Sequence, residues 1–251
     1  MIKKLCLQTW SVRDHMQDAK SVKESFEKLK AMGYDQIQTA DERIPYPEFA
    51  KLAKEADIEI VGTHYSFEKM ENDIEGAIED HKLMGTTNMG VGGWGFQTEA
   101  DVYDFIERAN KIADRISKEG MKFTYHNHYH EFRKFGGKTI MEMLAEGLDK
   151  DKTSFVLDTY WVQYSGGDSI EWIKKLAGRI DILHLKDMMV DKDCKIVSTE
   201  IGNGNMNFKG IIKAAEETGV KYFCVEQESY DGRDSLDCVK DSSEYLHKYY
   251  M

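Results

Sequence analysis

The sequence predicts a single-domain α/β protein, a (β/α)8 TIM barrel, on three observations. Short apolar β-prone runs alternate with longer amphipathic stretches from start to finish, eight such pairs can be counted, and glycines recur where a helix should hand over to the next strand. The 251 residues suit this architecture, which commonly runs to about 250 residues around one core, so residues 1–251 are read as one domain.

The strand candidates are residues 4–10, 35–40, 58–63, 87–92, 122–127, 153–158, 180–185 and 222–227. Between them lie helical patterns: Val102, Phe105, Ile106, Ala109, Ile112, Ala113 and Ile116 recur at intervals of three and four, one apolar stripe for a sheet to cover. Gly33, Gly85, Gly120 and Gly219 fall at helix-to-strand junctions, the usual place for a left-handed cap. Pro45 and Pro47, the only prolines, are expected in the connection after the second strand. No G-x-G-x-x-G follows any strand; the nearest cluster, GVGGW at 90–94, does not open a nucleotide-binding turn.

With 45 acidic against 34 basic residues the formal charge is -11, which repels phosphate backbones and argues against nucleic acid as a partner. The N-terminal apolar stretch is broken at Gln8, Arg13 and Asp14, so it lacks a signal-peptide core, and no apolar run approaches the roughly 18 residues of a membrane span. Cys6, Cys194, Cys224 and Cys238 show no C-x-x-C spacing, which suits reduced thiols and a cytoplasmic protein.

In such barrels the carboxyl ends of the strands form the active face. Here those ends carry His64 (third strand), His126 and His128 (fifth), Asp158 (sixth), His184 and Lys186 (seventh) and Glu226 (eighth). Side chains alternate along a strand, so His126 and His128 share a face, as do His184 and Lys186. Singly, each has a plainer explanation: a strand-end histidine is usually hydrogen-bonded structure, and Asp158 in FVLDTYW could cap a turn. Glu226 after apolar YFCV is harder to dismiss, because burying an unpaired carboxylate costs several kcal/mol. Together, His126, Asp158, His184 and Glu226 point to one divalent metal ion. Imidazole and carboxylate without thiolate suits Mn, Co, Zn, Fe or Mg, and ligand type alone does not choose. Such an ion would polarise a substrate carbonyl.

Trp10, Trp94 and Trp161 lie just past strand ends and either line a sugar-sized pocket or simply close the barrel top. Trp172, inside a helical pattern, is read as packing. IGNGNMNF (201–208) either binds an anion through backbone N–H groups or is a glycine-rich turn with Asn207 as N-cap. The loops before the helices read as short, leaving the pocket open to solvent or completed by a second copy in a homo-oligomer.

The chain resembles the sugar phosphate isomerase/epimerase family, the xylose isomerase-like TIM barrels, over nearly its whole length. LCLQTWSVRD is similar to that family's GLQLYSVRD, FTYHNHYHEF to its YHNHDFEF, the run FVLDTYW to GRIDILHLKDM to its LDxYW and GRxxxLHLKD, and the segment from IGNGNMNF to KYFCVEQE to its GxGxxxW and VEQD ending. The resemblance implies one divalent metal held by strands five to eight, at His126, Asp158, His184 and Glu226. It also implies a departure: characterised ketose epimerases place at strand five a glutamate that both binds metal and moves a proton, whereas the aligned residue here is His126, as in the YHNH branch. A metal-bound imidazole is a poor proton acceptor, and two-base epimerisation needs a base on each face of the substrate. Glu226 remains one candidate base, and the second would come from His128, Glu131, Lys186 or His64.

The expected activity is that of a sugar isomerase or epimerase acting on a small keto sugar, sugar phosphate or polyol, with Glu226, Lys186, His128 and Glu131 as catalytic candidates and Trp10, His64, Trp94, Trp161 and Lys186 contacting substrate. The alternative is a lyase or dehydratase that removes a group β to a carbonyl, as the family's inositol and dehydroshikimate dehydratases imply. An abasic-site endonuclease, which needs three metals, and a non-catalytic sugar-binding barrel are the remaining readings.

Overall fold

A computed structural model describes residues 2–40 and 43–251. Its barrel strands are β1 (Leu5–Gln8), β2 (Tyr34–Ala40), β3 (Glu59–His64), β4 (Asn88–Val91), β5 (Lys122–His126), β6 (Thr153–Asp158), β7 (Ile180–Leu185) and β8 (Tyr222–Val225), each within two residues of its expected ends. They pair in the order β3-β2-β1-β8-β7-β6-β5-β4, every pair parallel. This is the (β/α)8 barrel.

The ring closes between β3 and β4 through a mixed seam instead of a regular ladder. Asn88 Nδ2 donates to the Val61 carbonyl (2.9 Å), Tyr65 N–H to the Gly90 carbonyl (2.7 Å), and Gly90 N–H to Thr63 Oγ1 (3.3 Å). Gly90 is obligatory there, because a Cβ would fall 2.2 Å from the Thr63 carbonyl oxygen.

The helices follow their apolar stripes. In α5 (Glu99–Ser117) all seven stripe residues from Val102 to Ile116 are buried, and Thr98 with Asp101 forms a capping box at its start. Gly33, Gly85, Gly120 and Gly219 all adopt positive φ. The prolines sit slightly differently from expectation: Pro45 is the N-cap of α2 (Tyr46–Glu55) and Pro47 lies in its first turn, where a missing N–H breaks no bond. Trp172 is buried and packs edge-on against Phe132.

Two apolar layers result. The larger lies between sheet and helices, while a small plug of Cys6, Val61, Val156, Ile182 and Cys224 fills the barrel itself and forms an apolar floor under the strand ends. The loops are not all short. Two-stranded antiparallel ribbons, Lys134–Phe135 with Lys138–Thr139 after β5 and Asp187–Val190 with Ile196–Thr199 after β7, extend the active face. Their charged and turn-rich sequences gave no apolar alternation to mark them. Among the described residues no helix is long and apolar enough to cross a membrane.

Candidate metal centre

Strands β5 to β8 are consecutive neighbours, and the pleat turns one ligand-type side chain from the end of each into the barrel. Asp158 and His184 are paired in register, as are Cys224 and His184, so Glu226 lies just beyond His184 on the adjacent strand. His126, Asp158, His184 and Glu226, all buried, each offer one atom to a group whose members lie within 4.8 Å of one another.

Hydrogen bonding fixes which atom each offers. His126 Nδ1 meets the Gly92 carbonyl at 3.2 Å, leaving Nε2 to the centre. Asp158 does both jobs the sequence left open: Oδ1 accepts the Trp161 N–H (3.1 Å) as the cap of α7 (Thr159–Tyr164), and Oδ2 faces the centre. His184 turns Nε2 to Gln38 Oε1 at 2.5 Å and Nδ1 to Glu226 Oε2 at 3.1 Å. Asp158 Oδ2 lies 3.6 Å from His126 Nε2 and 3.7 Å from His184 Nδ1.

A divalent ion fits this set. Donors about 2.1 Å from one ion stand roughly 3.0–4.2 Å apart. Two of the converging atoms, His126 Nε2 and Asp158 Oδ2, are fully buried without a hydrogen-bond partner, a costly arrangement unless something else coordinates them. Identity among Mn, Co, Zn, Fe and Mg is left open by the same donor chemistry.

Charge is arranged around the centre. Burial opposes ionisation of Asp158, but Lys186 with the two imidazoles outweighs it and brings the carboxyl to about 2. Burial likewise opposes the Glu226 carboxylate, and Lys186 and His184 hold it well below the usual range. Burial would lower His184, yet the Glu226 and Asp158 carboxylates raise it to about 9. Lys186, wholly buried, has Nζ 2.7 Å from Glu228 Oε2, 3.4 Å from Glu226 Oε2 and 3.7 Å from Asp158 Oδ2; burial disfavours its charge, and these carboxylates more than restore it.

The other sequence candidates separate into two groups. His64 stacks on His126 with ring centres 4.9 Å apart, and its Nε2 is buried without a partner. His128 packs edge-on against His126 at 4.6 Å with Nδ1 unpartnered, and Gly93 at φ +138° gives it room, a Cβ there falling 3.0 Å from that nitrogen. Burial, reinforced by His126, lowers both imidazoles, His128 to about 4, so both are neutral near pH 7. Trp161 reaches the same chamber: its ring lies 4.7 Å from Lys186 Nζ and 5.7 Å from the His128 ring, and its Nε1 is unpartnered.

Three candidates have their side chains engaged by other parts of the chain. Trp94 joins Phe67 and Phe105 at 4.8 and 5.5 Å, an aromatic stack among the helices, because that apolar surface needs covering. The Trp10 ring carries the Arg13 guanidinium 4.4 Å from its centre. Glu131 is buried with both oxygens engaged, Oε1 by Tyr125 Oη (2.6 Å) and His130 Nε2 (3.2 Å), Oε2 by the His128 N–H (2.9 Å). It pins the loop that carries His128.

The open choice at 201–208 resolves toward the turn. Asn207 caps α9 (Phe208–Thr218), and the loop's N–H groups are taken by a carboxylate of the chain itself: Asp187 accepts from Met188, Gly202, Gly204 and Met206 at 2.8 to 3.2 Å. Asp187, Gln8, Gln38 and Glu228 were not singled out from the sequence. The alternation in QIQTA, which turns Gln36 and Gln38 to one face, was the signal available for Gln38.

Comparison with known proteins follows the same lines. A family model described as xylose isomerase-like TIM barrel matches residues 26–249. Inosose dehydratase of Geobacillus thermodenitrificans is 29% identical over 148 residues, 52% of this chain and 48% of that protein. Inosose dehydratase of Clostridium perfringens is 24% identical over 230 residues, 73% and 75%. The chain spans about half the length of most curated relatives it matches. A solved sugar phosphate isomerase/epimerase from Parabacteroides distasonis superposes with TM-score 0.86 at 25% identity, covering 99% of this chain and 94% of that one. The probable 3-DHS dehydratase of Bacillus anthracis, at 15% identity, TM-score 0.73 and coverage of 97% and 98%, shares the fold.

Proposed function

This chain belongs to the xylose isomerase-like TIM barrel family, and on that premise we propose that it eliminates water from a neutral keto polyol ring, a cyclitol ketone, and does not isomerise or epimerise a sugar. The inosose dehydratase activity named for its curated relatives supports this reading.

One observation carries it: among the described residues, each carboxylate other than Asp158 that reaches the chamber, Glu131, Glu226 or Glu228, is already engaged by a donor or cation of the chain. At strand five stands His126, whose free nitrogen faces the centre, and both oxygens of Glu131 are consumed inside the loop. Glu226 Oε2 is shared between His184 and Lys186. The free nitrogens belong to neutral His128 and His64, both flanking His126. Inversion needs a base on each face of the substrate, whereas elimination, like single-base isomerisation, is served by one base that takes a proton and returns it, and between those two the relatives' dehydratase activity favours elimination.

His126, Asp158, His184 and Glu226 would hold one divalent ion, which when bound supplies Lewis-acid polarisation of the ketone and its neighbouring hydroxyl. Lys186, kept cationic by its carboxylates, donates to a substrate oxygen. His128 Nδ1 takes the proton from the carbon beside the ketone and delivers it to the hydroxyl leaving the next carbon. The C–H and C–O bonds break, a C=C bond forms, and water departs. His64 and Trp161 offer their unpartnered ring nitrogens to the remaining hydroxyls, and Glu131 positions His128. The substrate carries no phosphate in this reading, since Asp187 fills the backbone nest that would receive one.

The test is a metal-loaded incubation with an inosose, followed by NMR. An unsaturated ketone and released water are expected. Deuterium entering a ketose at an inverted carbon without loss of water would overturn the assignment.

A further inference from the structure

The histidine at the heart of the cluster is oriented by a chain of amides that starts at a backbone donor. A backbone N–H can only donate, so Trp10 N–H, 3.2 Å from Gln8 Oε1, fixes which end of the Gln8 amide is oxygen. Gln8 must then present Nε2 to Gln38, and Gln38 must present Oε1, 3.0 Å away. That oxygen also meets His184 Nε2 at 2.5 Å, so His184 Nε2 is a donor and its Nδ1 is the nitrogen left for the cluster. Gln8 and Gln38 are fully buried and cannot exchange this arrangement for water.

We propose that Gln38 is a positioning residue for the metal: its Oε1, oriented by Gln8 and ultimately by the Trp10 backbone, holds His184 in the Nε2–H form and aims Nδ1 at the ion. The proposal rests on the metal centre assigned above. An acceptor on the outer nitrogen of a metal-binding histidine fixes ring and tautomer, and losing one typically lowers metal affinity about 10–100-fold. The Gln38 Nε2 group has no partner among the described residues, so the oxygen, not the amide as a whole, is the anchoring atom.

The experiment measures Mn2+ and Co2+ dissociation constants by chelator competition for the wild type, Gln38→Leu, Gln38→Glu and Gln8→Leu, with melting curves of each metal-free protein. Gln38→Leu is expected to bind about 10–100-fold more weakly. Gln38→Glu, which keeps an acceptor for both His184 and Gln8, is expected to bind at least as tightly as wild type. Gln8→Leu frees the Gln38 amide to turn over and is expected to lose affinity by less than Gln38→Leu, which keeps the question open to decision even if Gln38→Leu does not fold. In 15N spectra of the metal-free protein above pH 9, His184 should be the Nε2–H tautomer in wild type and a mixture in Gln38→Leu. Wild-type affinity in a folded Gln38→Leu, or equal losses in Gln38→Leu and Gln38→Glu, would overturn the proposal while leaving the metal centre intact. A wild type that binds neither metal would overturn both.

Discussion

Asp158 Oδ2 and His126 Nε2 face each other at 3.6 Å, each fully buried and neither hydrogen-bonded. Asp158 caps α7 with its other oxygen, so its two functions separate by mutation. Asn caps a helix about as well as Asp. Asp158→Asn is therefore expected to keep the helix cap and a folded metal-free barrel, losing only the stability its charge contributes, yet retain less than a tenth of the wild-type metal content after dialysis, read by elemental analysis. Full metal retention would remove Asp158 from the ligand set.

Metal binding should release a proton from His184. The Glu226 and Asp158 carboxylates hold that imidazole at about 9, so near neutral pH the metal-free ring is protonated and an incoming ion must displace the proton. Affinity is expected to rise about tenfold per pH unit up to about pH 9 and then to level off as this site empties of protons. Titration calorimetry in buffers of different ionisation enthalpy reads the proton directly, and zero protons released at pH 7 would contradict the arrangement.

Lys186 balances two buried carboxylates when no metal is present. Replacing it with Met leaves those charges to His184 alone, an effect of up to about 3–5 kcal/mol for a buried pair broken on one side. The metal-free Lys186→Met protein should thus melt well below wild type, and added Mn2+ should recover much of the difference. Equal destabilisation with and without metal would mean that Lys186 acts by packing alone.

Acid should unfold the protein partly through His81. This side chain is fully buried, its rings' nitrogens meeting Thr63 Oγ1 at 2.8 Å and the Ala77 carbonyl at 2.7 Å, and burial lowers it to about 4. Its folded value lies below the unfolded value of about 6.5, so the unfolded chain binds the extra proton. The contribution is present in full above pH 6.5 and is lost as pH falls toward 4, roughly 3 kcal/mol in total. Denaturant melts of wild type and His81→Gln between pH 7 and 4 check this; identical slopes would exclude it.

The barrel seam predicts a backbone-sensitive position. Gly90→Ala forces a methyl group against the Thr63 carbonyl, and the strands must part. A loss of several degrees in melting temperature is expected. An unchanged melting temperature would show that the seam yields freely.

The eight strands were legible because each is an apolar run set off from an amphipathic helix, and the four ligand positions because their residue types have few uses at a strand end. What escaped notice had no such mark. Gln38 and Gln8 matter only through their partners, and Glu228 only because Lys186 reaches it. Trp94 looked like a pocket residue by position, but Phe67 and Phe105, far away in sequence, claim its ring. Glu131 looked like a spare base until its three donors were in view. Each of these roles is set by a tertiary neighbour, which local pattern does not encode.

The strand order has a consequence for how the centre is assembled. Its four ligands hang from one uninterrupted ladder, β5 to β8, while Gln8 and Gln38 hang from a separate arm, β1 to β3, attached to that ladder along β1 on one side and by the seam on the other. The carboxyl-terminal arm carries all four ligands, the fingers of a hand. The amino-terminal arm supplies the contact that sets the hand's grip, so the presence of the first two strands is registered chemically at His184, through Gln38.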